Sequence, residues 1–348
     1  MRAKILMLIP TLNLVGGAQD QLKILSNQLN AYDIKHDIKT IYSYKKDNRY
    51  KFFSEISLFF KLIIFSIKYR VIHLHGLGSS LYFLGFLSQI FKFSLIVKVP
   101  RSGEGSYINE LKKNKFRFKL FKFTSNGVKK FVALTACGEV ALKDLGISSD
   151  KIIRIPNGVY IPSADPINKK DEVLNICYVG RLIKRKRINL ILGAAKILKD
   201  KGINNYHVSI IGDGPELKKL ELDSKKLGIK DRVRFFGEVE NKVAIGLLKS
   251  MDIFILPSES EGMSNSLLQA CANSCVPIAS DIPQNLEIIT PNINGLVFSS
   301  QAQLVSHIEN LFDIDTLKVF KDKAYENVKS KYDIKKIARE YSILYEES

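Results

Sequence analysis

Short runs of Ile, Val and Leu recur along the chain, and between them lie longer stretches where apolar residues return every three or four positions. The first half offers KILMLI, KTIYS, VIHLH, SLIVKV, KFVAL and KIIRIP as strands; the second begins afresh with LNICYVG, HVSIIG, VRFFG, IFILP, VPIAS and GLVF. Apolar strands alternating with helical patterns predict parallel sheets joined by crossover helices, an α/β class. Between the halves, NGVYIPSADPINKKDEV is rich in Pro, Asn and Asp and reads as a linker. The pattern therefore predicts two doubly wound domains facing a central cleft, residues 1–165 and 172–328, with a C-terminal helix at 329–348 packing back on the first domain. In open sheets of this kind ligands sit off the carboxyl ends of the strands, so the loops after each strand are where chemistry is sought.

Composition sharpens this picture. With 348 residues, 46% hydrophobic and 25% charged, the chain is a folded protein of two ordinary domains. Cys271 and Cys275 share a helix face, but no two further ligands lie near them, so they read as small core residues in a reducing compartment. MRAKILMLIP has too short an apolar run for a secretory signal and reads as a first strand. ISLFFKLIIFSI and LYFLGFLSQIF fall short of the ~20 residues that cross a bilayer.

The net charge of +18 is lopsided: residues 1–170 hold 28 Lys/Arg against 11 Asp/Glu, whereas residues 171–348 hold 25 against 24. Fourteen of the 20 Phe also lie in the first half. No recognisable stacking module accompanies the charge, so nucleic acid is not the expected partner. KKNKFRFKLFKFTSNGVKKF, residues 112–131, interleaves cations with Phe116, Phe118, Phe121 and Phe123. Such a segment is suited to an anionic membrane surface; the competing reading is an amphipathic helix whose Phe face is core.

Three loops carry candidate chemistry. After LNICYVG come Gly180, Arg181 and Leu182, then Lys184 to Arg187 ahead of an apolar helix. Cations there oppose the helix dipole unless an anion such as a diphosphate joins them. GDGPELKKL is a turn, not a dinucleotide fingerprint. In IFILPSESEGMSNSLLQACA, Glu261 precedes a helix capped by Ser264 or Asn265, and Gln269 stands a turn inside it. His73 and His75 share one face of a strand.

GRL-x3-K, IIGDGPE, VRFFGEV and PSESEGMSNSLLQA, in that order, resemble the nucleotide-binding half of retaining glycosyltransferases of family 4 (glycosyl transferases group 1), which have the GT-B fold of two Rossmann-like domains. GGAQ, VIHLHG and LTACGEVALKDLGISSDKIIRIPNGV extend the resemblance, less specifically, over the first half. It implies transfer of a hexose from a nucleotide-diphosphate donor, a UDP-sugar in preference, with retention and with neither cofactor nor metal. By position, Arg181 and Lys186 would hold the diphosphate and Glu261, the first acid of the family's Glu-x7-Glu, the donor sugar. Gln269 takes the second acid's place at the ribose. Gly17, Gly262, Ser264 and Asn265 would line the donor loops, and the backbone at Val239 would meet the base.

Two departures stand out. Gln269 is an amide where relatives have a carboxylate, which predicts weaker nucleotide binding. The histidine many relatives carry after the fourth strand is missing: Pro100, Arg101, Ser102 and Glu104 stand there, so either one of these takes over or the acceptor's environment differs. His75, Arg101 and Glu104 are the candidate acceptor groups. Asp313-Ile314-Asp315 spells a metal motif of another fold, but before a helix, and is not expected to bind metal. By analogy the chain would extend a glycan on a polyprenyl-diphosphate carrier for capsule or O-antigen, as a cytoplasmic protein peripheral at the inner face of the cell membrane. A catalytically silent binding partner of the same fold and a nucleotide-sugar epimerase are the competing readings.

Overall fold

A strand that is apolar at every position must be covered on both faces. In β1 (Ile5–Ile9) all five residues are buried: Leu6 and Leu8 join one core cluster, and Ile5, Met7 and Ile9 join another across the sheet. The computed structural model describes residues 4–9, 17–41, 51–99, 107–162 and 173–348. The chain divides into two units, Met1–Gly158 with Ile334–Ser348, and Val159–Asp333.

In the first unit, β1 is followed by α1 (Gly17–Ala31), β2 (His36–Thr40), α2 (Lys51–Lys68), β3 (Val71–His75), α3 (Ser79–Ile90), β4 (Ser94–Val99), α4 (Tyr107–Lys113), α5 (Lys115–Ser125), β5 (Val128–Ala133), α6 (Ala136–Asp144) and β6 (Ile152–Arg154). Among the described residues the strands form one parallel six-stranded sheet, ordered β2-β1-β3-β4-β5-β6. The order reverses between β1 and β3, the switch point of this sheet. β2 lies three residues earlier than KTIYS suggests; as an edge strand it is largely exposed, so its apolar signal is weak.

The second unit runs β7 (Leu174–Val179), α7 (Asn189–Asp200), β8 (Tyr206–Ile211), α8 (Leu217–Lys226), β9 (Val233–Gly237), α9 (Asn241–Leu248), β10 (Ile253–Leu256), α10 (Asn265–Ala272), β11 (Val276–Ser280), α11 (Pro283–Leu286), β12 (Leu296–Phe298), α12 (Gln301–Asn310) and α13 (Ile314–Tyr332). Its described strands are all parallel, ordered β12-β11-β10-β7-β8-β9, so its switch point lies between β7 and β10. Cys177, Cys271 and Cys275 are buried free thiols in this core.

Residues 329–332 end α13, and the returning helix α14 (Ile334–Glu346) starts later than expected, after a break at Asp333. Its Ile337, Ala338, Tyr341 and Tyr345 pack with Leu22, Leu25 and Leu29 of α1 in the first unit. That burial supplies the stability a short helix lacks alone.

Candidate functional site

The switch point of the second unit brings together the loops that follow β7 and β10. The β7 loop is held open by close backbone contacts: Gly180 N donates to Ile211 O (3.0 Å), Leu182 N to Asp213 O (2.8 Å), and Gly212 N to Gly237 O (2.8 Å). A Cβ on Gly212 would lie 2.0 Å from Gly180 O, and one on Gly214 2.4 Å from Leu182 O. GDG is thus a packing turn that lets one loop lie on the next.

Lys184–Lys186 form a single 3-10 turn, closed by Arg187 in the left-handed region (φ 48°). Three of these four cations reach the loop after β10. Arg187 Nε donates to Pro257 O (2.8 Å) and Arg185 Nη1 to Ser260 O (2.9 Å), while Glu259 N donates to Arg185 O (2.9 Å). Two of the arginines therefore clamp the β10 loop by its carbonyls.

The clamp sets Glu261 beside Lys186. Lys186 Nζ donates to Glu261 Oε1, with the two side chains only 12% and 9% exposed. Beneath them Tyr178 is fully buried and its hydroxyl donates to Arg181 O (3.1 Å). Burial and the Glu261 carboxylate push its phenol well above the ordinary tyrosine value, so it stays a neutral donor. Arg181 has an exposed side chain at the rim. Ser264 caps α10, its Oγ accepting from Leu267 N (3.3 Å). Gly262 and Asn265 flank this turn and are half-buried. Gln269 is buried one turn on, and its Nε2 donates to Asn241 Oδ1 (3.3 Å). Val239 follows β9, half-buried.

Arg181, Lys186, Glu261, Ser264 and Gln269 therefore belong to neighbouring loops of one sheet edge. Gly17 begins α1 of the first unit and is exposed. His75 is buried in that same unit, its ring 4.2 Å from that of His73. Arg101 and Glu104 lie outside the described residues. Asp313 caps α13, accepting from Thr316 N (3.0 Å), a helix-starting role for the Asp-Ile-Asp motif. Among the described residues no group of three or more His, Cys, Asp or Glu is gathered as metal ligands are.

Sequence reasoning missed Tyr178, and it named Arg185 and Arg187 without their role in holding the β10 loop. It also missed Lys98, although a lysine inside SLIVKV is a visible irregularity. The Phe-rich segment forms α5, which splits its rings: Phe121 is core, while Phe116 and Phe123 are 76% and 53% exposed. Phe59, Phe60, Ile64 and Ile67 of α2 and Phe83, Phe86 and Ile90 of α3 are exposed as well. The rings of Phe59 and Phe83 meet edge to face at 5.6 Å, joining the two helices' outer faces. Lys115, Arg117, Lys119 and Lys122 stud α5, and neither α3 nor α5 holds an acid. Among the described residues no helix is long and apolar enough to cross a membrane.

Residues 162–329 match the family model of glycosyl transferases group 1. A capsular polysaccharide biosynthesis glycosyltransferase of Staphylococcus aureus is 31% identical over 136 residues, 38% of either chain. The UDP-Gal:alpha-D-GlcNAc-diphosphoundecaprenol alpha-1,3-galactosyltransferase of Escherichia coli is 30% identical over 175 residues, 46% of this chain and 44% of its own. These matches span under half the length of those relatives. The crystal structure of Anabaena HepE in complex with UDP superposes with a TM-score of 0.80 at 16% identity, covering 99% of this chain and 100% of that one. The fold is accordingly the GT-B fold of two Rossmann-like units.

Proposed function

We propose, from the match of residues 162–329 to the glycosyl transferases group 1 model, that the chain is a retaining, metal-independent hexosyltransferase that moves a sugar from a UDP-sugar to a glycan on a polyprenyl-diphosphate carrier. The observation that carries this reading is the Lys186–Glu261 pair, built at the β7/β10 switch point by the arginine clamp. A cation and a carboxylate in contact serve the two halves of one ligand: phosphate oxygens accept from the cation and sugar hydroxyls donate to the carboxylate.

In the reaction the bond between the anomeric carbon and the diphosphate oxygen breaks. The acceptor oxygen forms the new bond on the same face, and its proton passes to the departing diphosphate. Arg181 and Lys186 meet the charge that develops on that diphosphate, and such electrostatic stabilisation is usually the largest catalytic contribution. Glu261 orients the sugar, and Gln269 Oε1 accepts from the ribose. UDP is favoured as the nucleotide because HepE was solved with it and the E. coli relative is named for a UDP-sugar.

The acceptor and the membrane belong to the same proposal. The E. coli relative is named for a diphosphoundecaprenol-linked acceptor, and other relatives for capsule and O-antigen biosynthesis. The exposed rings of α2, α3 and α5 beside the α5 cations suit them to a peripheral place on an anionic leaflet. The test is a panel of nucleotide sugars scored by melting-temperature shift and donor turnover. Arg181→Ala and Glu261→Ala should abolish turnover while the fold survives; wild-type rates from both would mean that the assigned loops are not the donor site.

A further inference from the structure

The first unit holds a second polar cluster, and nothing so far gives it a role. His75 ends β3 and is the register partner of Lys98, one residue from the end of β4. Both therefore stand at the carboxyl edge of the sheet, next to the β1/β3 switch point, where ligands of open α/β sheets bind. His73 lies behind His75 on the same strand face, and Tyr341 and Tyr345 of α14 close the cluster from one side. His73 Nδ1 is bonded to Tyr345 Oη at 2.7 Å.

What is left over is a set of unpartnered polar atoms, all of them donors when each imidazole carries its proton on Nε2. His73 Nε2, His75 Nε2 and Tyr341 Oη are buried with no hydrogen-bond partner among the described residues. Lys98 is 7% exposed, and among the described residues its ammonium meets only the face of the Tyr341 ring, at 5.5 Å. Burial lowers its pKa to about 8, so at pH 7 most of it remains charged. The two imidazoles are held neutral by burial, with Lys98 pushing the same way. A buried ammonium without a carboxylate is costly, and buried donors without acceptors add to the cost. One ligand would relieve all of them: an oxyanion with several acceptor oxygens. Exposure grades the cluster, from none at His73 and Tyr341 to 8% at His75 and 7% at Lys98, so its open end is the cationic end.

We propose that Lys98 and His75 form a phosphate-binding subsite in the first unit, with His73 and Tyr341 as its inner donors. The subsite does not depend on the donor assignment made above for the second unit. Its phosphate has two sources: free pyrophosphate, or the diphosphate of a polyprenyl carrier.

The experiment uses the full chain carrying Arg181→Ala, which weakens the second unit's own hold on diphosphate, with 15N-labelled histidine. Inorganic pyrophosphate and a short-chain prenyl diphosphate are titrated separately while the imidazole signals are followed. Either ligand should shift the His73 and His75 signals saturably, and a response to the prenyl compound alone would identify the lipid as the source. Lys98→Met should fold, because a buried charge is replaced by an apolar side chain of similar length, and should bind roughly tenfold more weakly or worse. His75→Gln repeats the comparison while leaving the lysine in place. Signals unmoved by both ligands, or moved equally in Lys98→Met and His75→Gln, would overturn the subsite.

Discussion

Lys186→Met is the sharpest perturbation of the donor site, because it strips the cation from a carboxylate only 9% exposed. Removing one partner of a buried pair costs about 3–5 kcal/mol. At roughly 2–4 °C per kcal/mol for a unit of this size, the melting temperature should fall by about 6–20 °C. Adding Glu261→Gln removes the stranded charge and should restore most of the melting temperature. Turnover is the second readout. If the pair only tied two loops together, the double variant would regain activity along with stability; if it binds donor, stability returns and activity does not. Recovered turnover in the double variant, or an unchanged melting temperature in the single one, refutes the reasoning.

Two further outcomes are expected. Gln269→Glu should keep activity and bind nucleotide more tightly in calorimetry, since Asn241 can turn its amide to donate to the new carboxylate; loss of the nucleotide heat would mean the amide itself is required. Phe60→Glu with Phe86→Glu should weaken co-sedimentation with anionic vesicles by about tenfold or more, each change removing an exposed ring and adding a repelled charge; binding that ignores anionic lipid content and salt would set the docking face aside.

The strands were readable because each is a compact apolar run between turn residues; only the edge strand β2, half in solvent, blurred the signal. Lys186 and Glu261 were readable because residues just beyond strand ends have few structural reasons to be charged. The roles of Arg185 and Arg187 were not, since the carbonyls they hold lie 75 and 70 positions further along the chain, which no local pattern announces. Tyr178 sits in an apolar strand and looks like core until Glu261 arrives beside it from a residue 83 positions later. The outward face of α3 was hidden by its own uniformity: a helix apolar nearly all round carries little period that says which side is covered. Lys98 was the opposite case, a plain break in an apolar strand, with a meaning that needed α14 to supply its neighbours.

The return of α14 also orders events during synthesis. All of Val159–Asp333 can be assembled by the time residue 333 emerges, whereas the face of the first sheet around Met7, Leu22, Leu25 and Leu29 still lacks its cover. Some 175 residues of intervening chain must be made before Ile337 and Tyr341 can reach that face. For that interval the earlier-made half is the unfinished one, an adhesive surface waiting on α14, and the delay would fall most heavily on nascent chains stalled or cleaved before it.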